Sequence, residues 1–346
     1  MPWIKALLRG VFGLTEVVET GHLRFIVQDG STVQVPGARG TSYRLHVALD
    51  VVNMTLRQVE VSTDKVGESV DRCVLQEGDV VLLDRGYNQR KSLVPFIDRG
   101  GDVVLRYNPH GMTLYRQDES MEAIDWCTRL RQQPGRAGAI PVYLCHGHKR
   151  LEGTVHAIPL PPEQAAEARR RAQQRARKKG RQASQTTLFL SGWVLIFTSV
   201  PATLLDTSAI AALYRRRWQV ELAIKRLKSL VDIDRLRARK DSPLAELYLY
   251  GKLLYAAVVE KLVAKRFGQS SCRMDGPRTH TPWRLWQLVT KAVCAGLVAC
   301  FPVQPRYLKD SLKSLCERPR KRRLQTLPSP VLELLAFCRK LGVSAV

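Results

Sequence analysis

Residues 79–87 read Asp-Val-Val-Leu-Leu-Asp-Arg-Gly-Tyr. Four consecutive apolar residues between turn-forming neighbours predict a strand buried on both faces. A helical stretch, Gln89 to Arg99, follows, and then a second apolar run, Asp102 to Tyr107. Strand, helix and strand at this spacing make a βαβ unit, so the sheet has parallel neighbours. In open α/β sheets ligands bind outside the carboxyl ends of the strands. Asp84 stands at such an end.

Working outward, Leu23 to Gln28 is a short apolar strand that runs into Asp29-Gly30-Ser31-Thr32, a stretch of turn-forming composition. A strand that closes on a carboxylate and then glycine makes a hairpin, or presents the acid at a rigid strand end. Asp50 ends the next strand, Tyr43 to Val52, and is the rival for that role. With Leu56 to Ser62 the three strands predict an antiparallel meander. His46 lies among apolar neighbours and reads as structural. Lys65 to Leu75 is polar and helix-competent.

Between Asn108 and Pro201 the pattern changes. Met112 to Arg116, Ile140 to Cys145, Gly153 to Leu160 and Leu188 to Val200 read as strands, and Glu163 to Lys179 as a helix dense in arginine and lysine. We read residues 108–200 as a β-rich insertion carrying a basic helical arm, Arg169 to Arg181. The arm is a solvated helix or a grip for phosphate. Further helices are predicted at Ala211 to Leu230, Leu244 to Phe267, Pro282 to Phe301 and Pro330 to Leu341, with a basic linker at Glu317 to Arg323. The organisation is an N-terminal segment (1–20), a core in two parts (21–107 and 201–260) around the insertion, and a helical C-terminal region (261–346). The fold class is α/β, a mixed sheet flanked by helices.

Lysine and arginine outnumber aspartate and glutamate by 55 to 31, a formal charge of +24. That excess points to a polyanion, nucleic acid before membrane. Eight cysteines form no CxxC pair, which fits a reducing cytoplasm rather than a disulfide-built secreted domain. Cys145-His146-Gly147-His148 has no second ligand pair at zinc spacing and reads as a loop or strand end. The N-terminus is too short and poorly formed for a signal peptide or a spanning helix.

The stretch Ala211 to Leu230 carries Tyr214, Arg217, Glu221 and Lys228. On one helix, offsets of three, seven and fourteen place these within roughly 60° of one another. The plain reading is a solvated, charge-laced face. The alternative needs partners for a carboxylate held between cations. Asp29, Asp84 and Glu221 together supply them. Two or three carboxylates at strand ends can hold a pair of Mg²⁺ ions, each keeping sites for water and phosphate oxygens. Such ions, about 4 Å apart, promote phosphodiester displacement.

In these features the chain resembles the DDE transposases of bacterial insertion sequences, in the insertion-sequence-four family. Tyr214-x2-Arg217-x3-Glu221-x6-Lys228 is similar to the family's Tyr–Arg–Glu–Lys signature at every spacing. Asp84-Arg85-Gly86-Tyr87 resembles the second catalytic aspartate, and Val27 to Thr32 the first. The resemblance covers roughly residues 20 to 260. It implies an RNase H-like core with a β-rich insertion before the glutamate helix. It implies that Asp29, Asp84 and Glu221 are catalytic and ligate two Mg²⁺ ions, which Mn²⁺ can replace. Tyr214, Arg217 and Lys228 would contact phosphates at the transposon end, with Arg85 a further contact. Trp193, 21 residues before Tyr214, would stack on an unpaired base.

The implied activity is cut-and-paste DNA transposition: metal-dependent cleavage at terminal inverted repeats, then strand transfer into target DNA, with no covalent protein–DNA intermediate. The expected partners are double-stranded DNA and a second copy of the chain in the synaptic complex, with no membrane. The expected location is the bacterial cytoplasm, at the nucleoid. Rival readings are a nuclease of the same core and an inactive DNA-binding remnant. The remnant reading rests on the 28 residues before Asp29, too few for a separate end-recognition domain.

Overall fold

In the computed structural model, the residues described are 23–299, apart from 77, 134, 240–241 and 269–279, together with 329–333 and 336. The N-terminal segment, the linker at Glu317 to Arg323 and most of the predicted last helix lie outside them.

Nine strands form a single mixed sheet in the order β3-β2-β1-β4-β5-β9-β8-β7-β6. The strands are β1 (Arg24–Val33), β2 (Tyr43–Asp50), β3 (Thr55–Thr63), β4 (Asp79–Leu83), β5 (Asp102–Arg106), β6 (Tyr115–Arg116), β7 (Gly138–His146), β8 (Lys149–Pro159) and β9 (Trp193–Thr198). The first three make the expected antiparallel meander. β1, β4 and β5 run parallel, as the βαβ reading requires. The strands of residues 108–200 form no sheet of their own. β9 pairs with β5, and β8, β7 and β6 follow it outward, each antiparallel to the last.

The helices are α1 (Arg90–Asp98), α2 (Trp126–Arg131), α3 (Pro162–Arg177), α4 (Gln185–Ser191), α5 (Thr207–Tyr214), α6 (Trp218–Leu230), α7 (Pro243–Phe267) and α8 (Pro282–Ala299). Side-chain alternation divides the core between the two faces of the sheet. Phe25, Val27, Val80 and Leu82 point to one face, where Ile210, Leu213, Val220, Leu227, Leu249, Leu253 and Trp286 of α5 to α8 cover them. Ile26, Val81, Leu83 and Val103 point to the other, beneath Leu93 and Phe96 of α1 and Trp126 and Leu130 of α2. The result is a helix–sheet–helix sandwich, a mixed α/β architecture of RNase H-like type.

Four local expectations are corrected. Asp29 to Thr32 is not a turn. β2 pairs with β1 as far as Val33↔Tyr43, so the strand runs on and the hairpin bends after it. Lys65 to Leu75 is not a helix, and only Val70–Arg72 makes a 3₁₀ turn. Glutamine side chains hold its carbonyls instead: Gln28 Nε2 donates to Ser69 O (3.1 Å) and Gln89 Nε2 to Glu68 O (3.0 Å). The front of Leu188 to Val200 is helical, because Ser184 caps α4 by accepting from the Thr187 N–H. Finally, Ala211 to Leu230 is not one helix. A 3₁₀ turn at Arg215–Arg217 separates α5 from α6. At about 120° per residue, that turn spreads three successive guanidinium groups around the axis.

Candidate active site

Parallel pairing sets the first relationship. Arg24↔Asp79 through Val27↔Leu82 are aligned across β1 and β4. The same register carried two residues further brings Asp29 level with Asp84, just past the end of β4. Alternation from Val27 and Leu82 turns both carboxylates to the face that carries α6, which packs on β1 and β2. Asp50 aligns with Ile26, whose side chain belongs to the other face. Its carboxylate closes the following turn, accepting from the Val52 N–H (2.8 Å) and the Asn53 N–H (2.9 Å).

Each aspartate is braced by a neighbouring glycine. Gly30 N–H donates to Asp29 Oδ1 (2.8 Å), and Gly86 N–H donates to Asp84 Oδ1 (2.7 Å). Asp84 therefore also caps the short turn after its strand. Burial lifts the Asp29 carboxyl to a pKa of about 6, and the negative charges of Asp84 and Glu68 add to the lift. The Gly30 N–H and Arg217 oppose it.

Arg217 lies between the acids. Its Nη1 is 3.4 Å from Asp29 Oδ2, and its Nη2 donates to Glu221 Oε1, one turn along α6. Asp29 is largely covered while Glu221 is about half exposed (17% and 53%), so the glutamate is the acid freer to move. Tyr214 is half-buried with its hydroxyl in the field of Arg217, Arg106, Asp84 and Arg85, and burial raises its pKa to about 12. Lys228 Nζ donates to Thr32 O (3.3 Å) at the far end of β1. Thr32 lines an open groove of about 850 Å³ that also takes in Arg39, Asp234 and Arg235.

One predicted site residue is turned the other way. Trp193 is only 8% exposed and belongs to the apolar cluster opposite α6. In this conformation its ring is core and offers no face to a base, because β9 opens on an inward-pointing position.

Sequence reasoning missed two groups. Arg106 ends β5, next to β4. Burial and the Arg85 charge lower its pKa to about 10, with the Tyr214 ring nearby opposing. Glu68 sits beside both aspartates, and burial and the Asp84 charge raise its pKa. Its sequence context is a featureless polar stretch. The one signal was the pair of glycines, Gly30 and Gly86, that make room for it.

Among the described residues no three His, Cys, Asp or Glu side chains are gathered closely enough to hold a metal by themselves. The arrangement still suits a divalent cation of the Mg²⁺ kind, which binds through one or two carboxylates and leaves its other sites to water and phosphate. Asp29 and Asp84 provide that pair, with glycines where a Cβ would crowd the crevice. Arg217 marks the position where the uncompensated negative charge is met by a cation.

A family model described as the transposase DDE domain matches residues 20–254. The chain is 30% identical over 251 residues to the putative transposase InsL for insertion sequence element IS186A of Escherichia coli strain K12, covering 70% of this chain and 67% of that protein. The transposase for insertion sequence element IS421 of Escherichia coli matches with the same identity and coverage. The transposase for insertion sequence element IS231C of Bacillus thuringiensis subsp. berliner is 26% identical over 194 residues, covering 52% of this chain and 40% of that protein.

Proposed function

The chain belongs to the DDE transposase family of insertion sequences, and we propose that it carries out cut-and-paste transposition with Asp29, Asp84 and Glu221 as its acidic set. It is a DNA-cleaving and strand-transferring enzyme of a family that uses divalent metal ions. The reading is carried by one observation: Asp29, within β1, comes level with Asp84 just past the end of the parallel neighbour β4, on the face covered by the helix of Glu221.

In the proposed mechanism Asp29 and Asp84 would hold Mg²⁺, or Mn²⁺ in its place, and Glu221, once parted from Arg217, would complete the acidic set for a second ion. When bound, the ions supply Lewis-acid activation of the attacking oxygen and charge stabilisation at the departing 3′ oxygen. The residues of the chain do the rest. Asp29 must be ionised to take part, and its pKa of about 6 leaves it mostly so at neutral pH.

Arg217, once parted from the acids, offers a planar fork to a phosphate. Tyr214 has its hydroxyl near Arg85 and Arg106, so the three line a cationic wall beside Asp84. Lys228 and the groove past Thr32 extend the positive surface along the duplex. The proposed substrates are terminal inverted repeats and target DNA. Synapsis of two ends calls for a dimer during the reaction. No described helix is long and apolar enough to cross a membrane.

The test is cleavage of DNA carrying the cognate ends in the presence of Mg²⁺. Glu221→Gln should lower cleavage and joining at least a hundredfold while DNA binding, read by mobility shift, is retained. Unchanged cleavage would remove Glu221 from the acidic set.

A further inference from the structure

Glu68 approaches the site from a different side than the other acids. It belongs to the segment held under β1 by Gln28 and Gln89, on the face opposite α6. Its carboxylate reaches past the end of β4 into the space between the two glycines. A Cβ on Gly30 would fall 2.5 Å from Glu68 Oε1, and a Cβ on Gly86 would fall 2.5 Å from Glu68 Oε2. Gly30 and Gly86 are the residues whose N–H groups brace Asp29 and Asp84. One carboxylate therefore fills the notch between the backbones that carry the other two.

A packing role does not account for this. The notch admits the carboxylate only because both neighbours lack a Cβ. Among the described residues no donor hydrogen-bonds to the Glu68 oxygens, although its backbone carbonyl is taken by Gln89. The cation whose field reaches it is Arg44, on β2, while the Asp84 charge opposes it. A half-buried carboxylate next to two others carries like-charge repulsion that a cation would relieve.

We infer that Glu68 is a positioning carboxylate of the metal centre: Asp29, Asp84 and Glu68 are not gathered closely enough to ligate one ion together, so Glu68 acts on the ion held by Asp29 and Asp84 through an ion-bound water, from the face opposite Glu221. This rests on the proposed site, and its distinct content is that the ion is served from both faces of the sheet. A carboxylate that accepts from an ion-bound water orients that water, and losing such a partner costs about tenfold or more in metal affinity.

The experiment is a Mn²⁺ titration of the full chain, followed by the electron paramagnetic resonance signal of the free ion. Glu68→Gln keeps the shape and removes the charge. We expect it to weaken Mn²⁺ binding about tenfold, while the melting temperature without metal stays the same or rises as like-charge repulsion is relieved. An unchanged Mn²⁺ constant overturns the inference. So does a fall in the metal-free melting temperature, which would mark Glu68 as a structural group. Asp84→Asn is the control. If it too binds Mn²⁺ normally, or if the unaltered protein takes up none, the metal site itself is wrong, not only the part given to Glu68.

Discussion

Arg217 Nη1 lies 3.4 Å from Asp29 Oδ2, so a cation of the chain already occupies the flank where a divalent ion would be held. The same guanidinium donates to Glu221. Arg217 and a metal ion thus compete for two carboxylates. The competition has a use if the phosphate of bound DNA draws Arg217 away, because ion binding then tightens when substrate binds. Arg217→Met should tighten Mn²⁺ binding in the absence of DNA. The loss of one opposing charge near a half-buried acid is worth about 1 kcal/mol, or roughly fivefold in affinity. Cleavage should meanwhile fall by about two orders of magnitude as the phosphate fork is lost. Weaker Mn²⁺ binding in the variant would show that Arg217 builds the ion site rather than competing for it.

Trp193 separates a core role from a DNA role. Its ring is packed in the cluster opposite α6 and is 8% exposed. Trp193→Phe should therefore cost about 1–2 kcal/mol of stability and leave end cleavage within about threefold, measured at a temperature where both proteins are folded. A tryptophan that stacks on an unpaired base would give the reverse pattern, with the melting temperature unmoved and cleavage much reduced.

The parts of the fold legible in the sequence were those with strong periodicity. The apolar run at Val80 to Leu83 fixed a buried parallel strand, and the crevice rule then singled out Asp84. The same rule explains what is not legible from residue type. Asp79 and Asp84 end the same strand, yet Asp79 is wholly buried at the other end, where Arg24 (2.9 Å) and Arg57 (2.6 Å) hold it as a structural ion pair. Only strand direction tells them apart. Asp29 was identified through its neighbours, although its stretch was misread as a turn, since Gly-Ser-Thr composition cannot show that β2 keeps pairing alongside. Glu68 and Arg106 were invisible because contacts distant in the chain create their surroundings. The burial of Trp193 was not legible because spacing from Tyr214 says nothing of which face of β9 a residue takes.

Glu260 on α7 gives a pH dependence that belongs to the fold and not to the site. Its Oε1 accepts the Leu56 N–H of β3 (2.8 Å). Burial raises its pKa to about 7, against the pull of that N–H and of Arg226 and Lys261. The folded value lies above the ordinary glutamate value near 4.5, so the folded state holds this proton more tightly. The contribution to stability is complete below about pH 4.5 and is lost as pH rises through about 7. Denaturant melts should lose about 1–3 kcal/mol between those limits on account of this group. Glu260→Gln, which cannot ionise, should flatten that part of the profile. An identical slope in both proteins would mean that Glu260 titrates normally.

The basic arm tests whether charge density serves DNA. On α3, Arg170 and Arg171 are both engaged by Glu167 at 2.7 Å, which leaves the C-terminal end as the open part. Arg175, Arg177, Lys178 and Lys179 follow there. Arg175 lies close enough to Arg85 for the two charges to repel, which sets that end of the helix beside the site. Changing these four to glutamine preserves helix propensity and removes the charge. If they grip phosphates, each contact contributes about 0.9 to the slope of log K against log salt. The fourfold variant should bind duplex DNA more weakly at low salt, with a slope shallower by about 2–3. Folding should be unaffected, since these side chains are exposed. Equal slopes for the two proteins would make the arm a solvated helix, and the phosphate grip would then rest on the groove beside Lys228 and on the arginines around Tyr214.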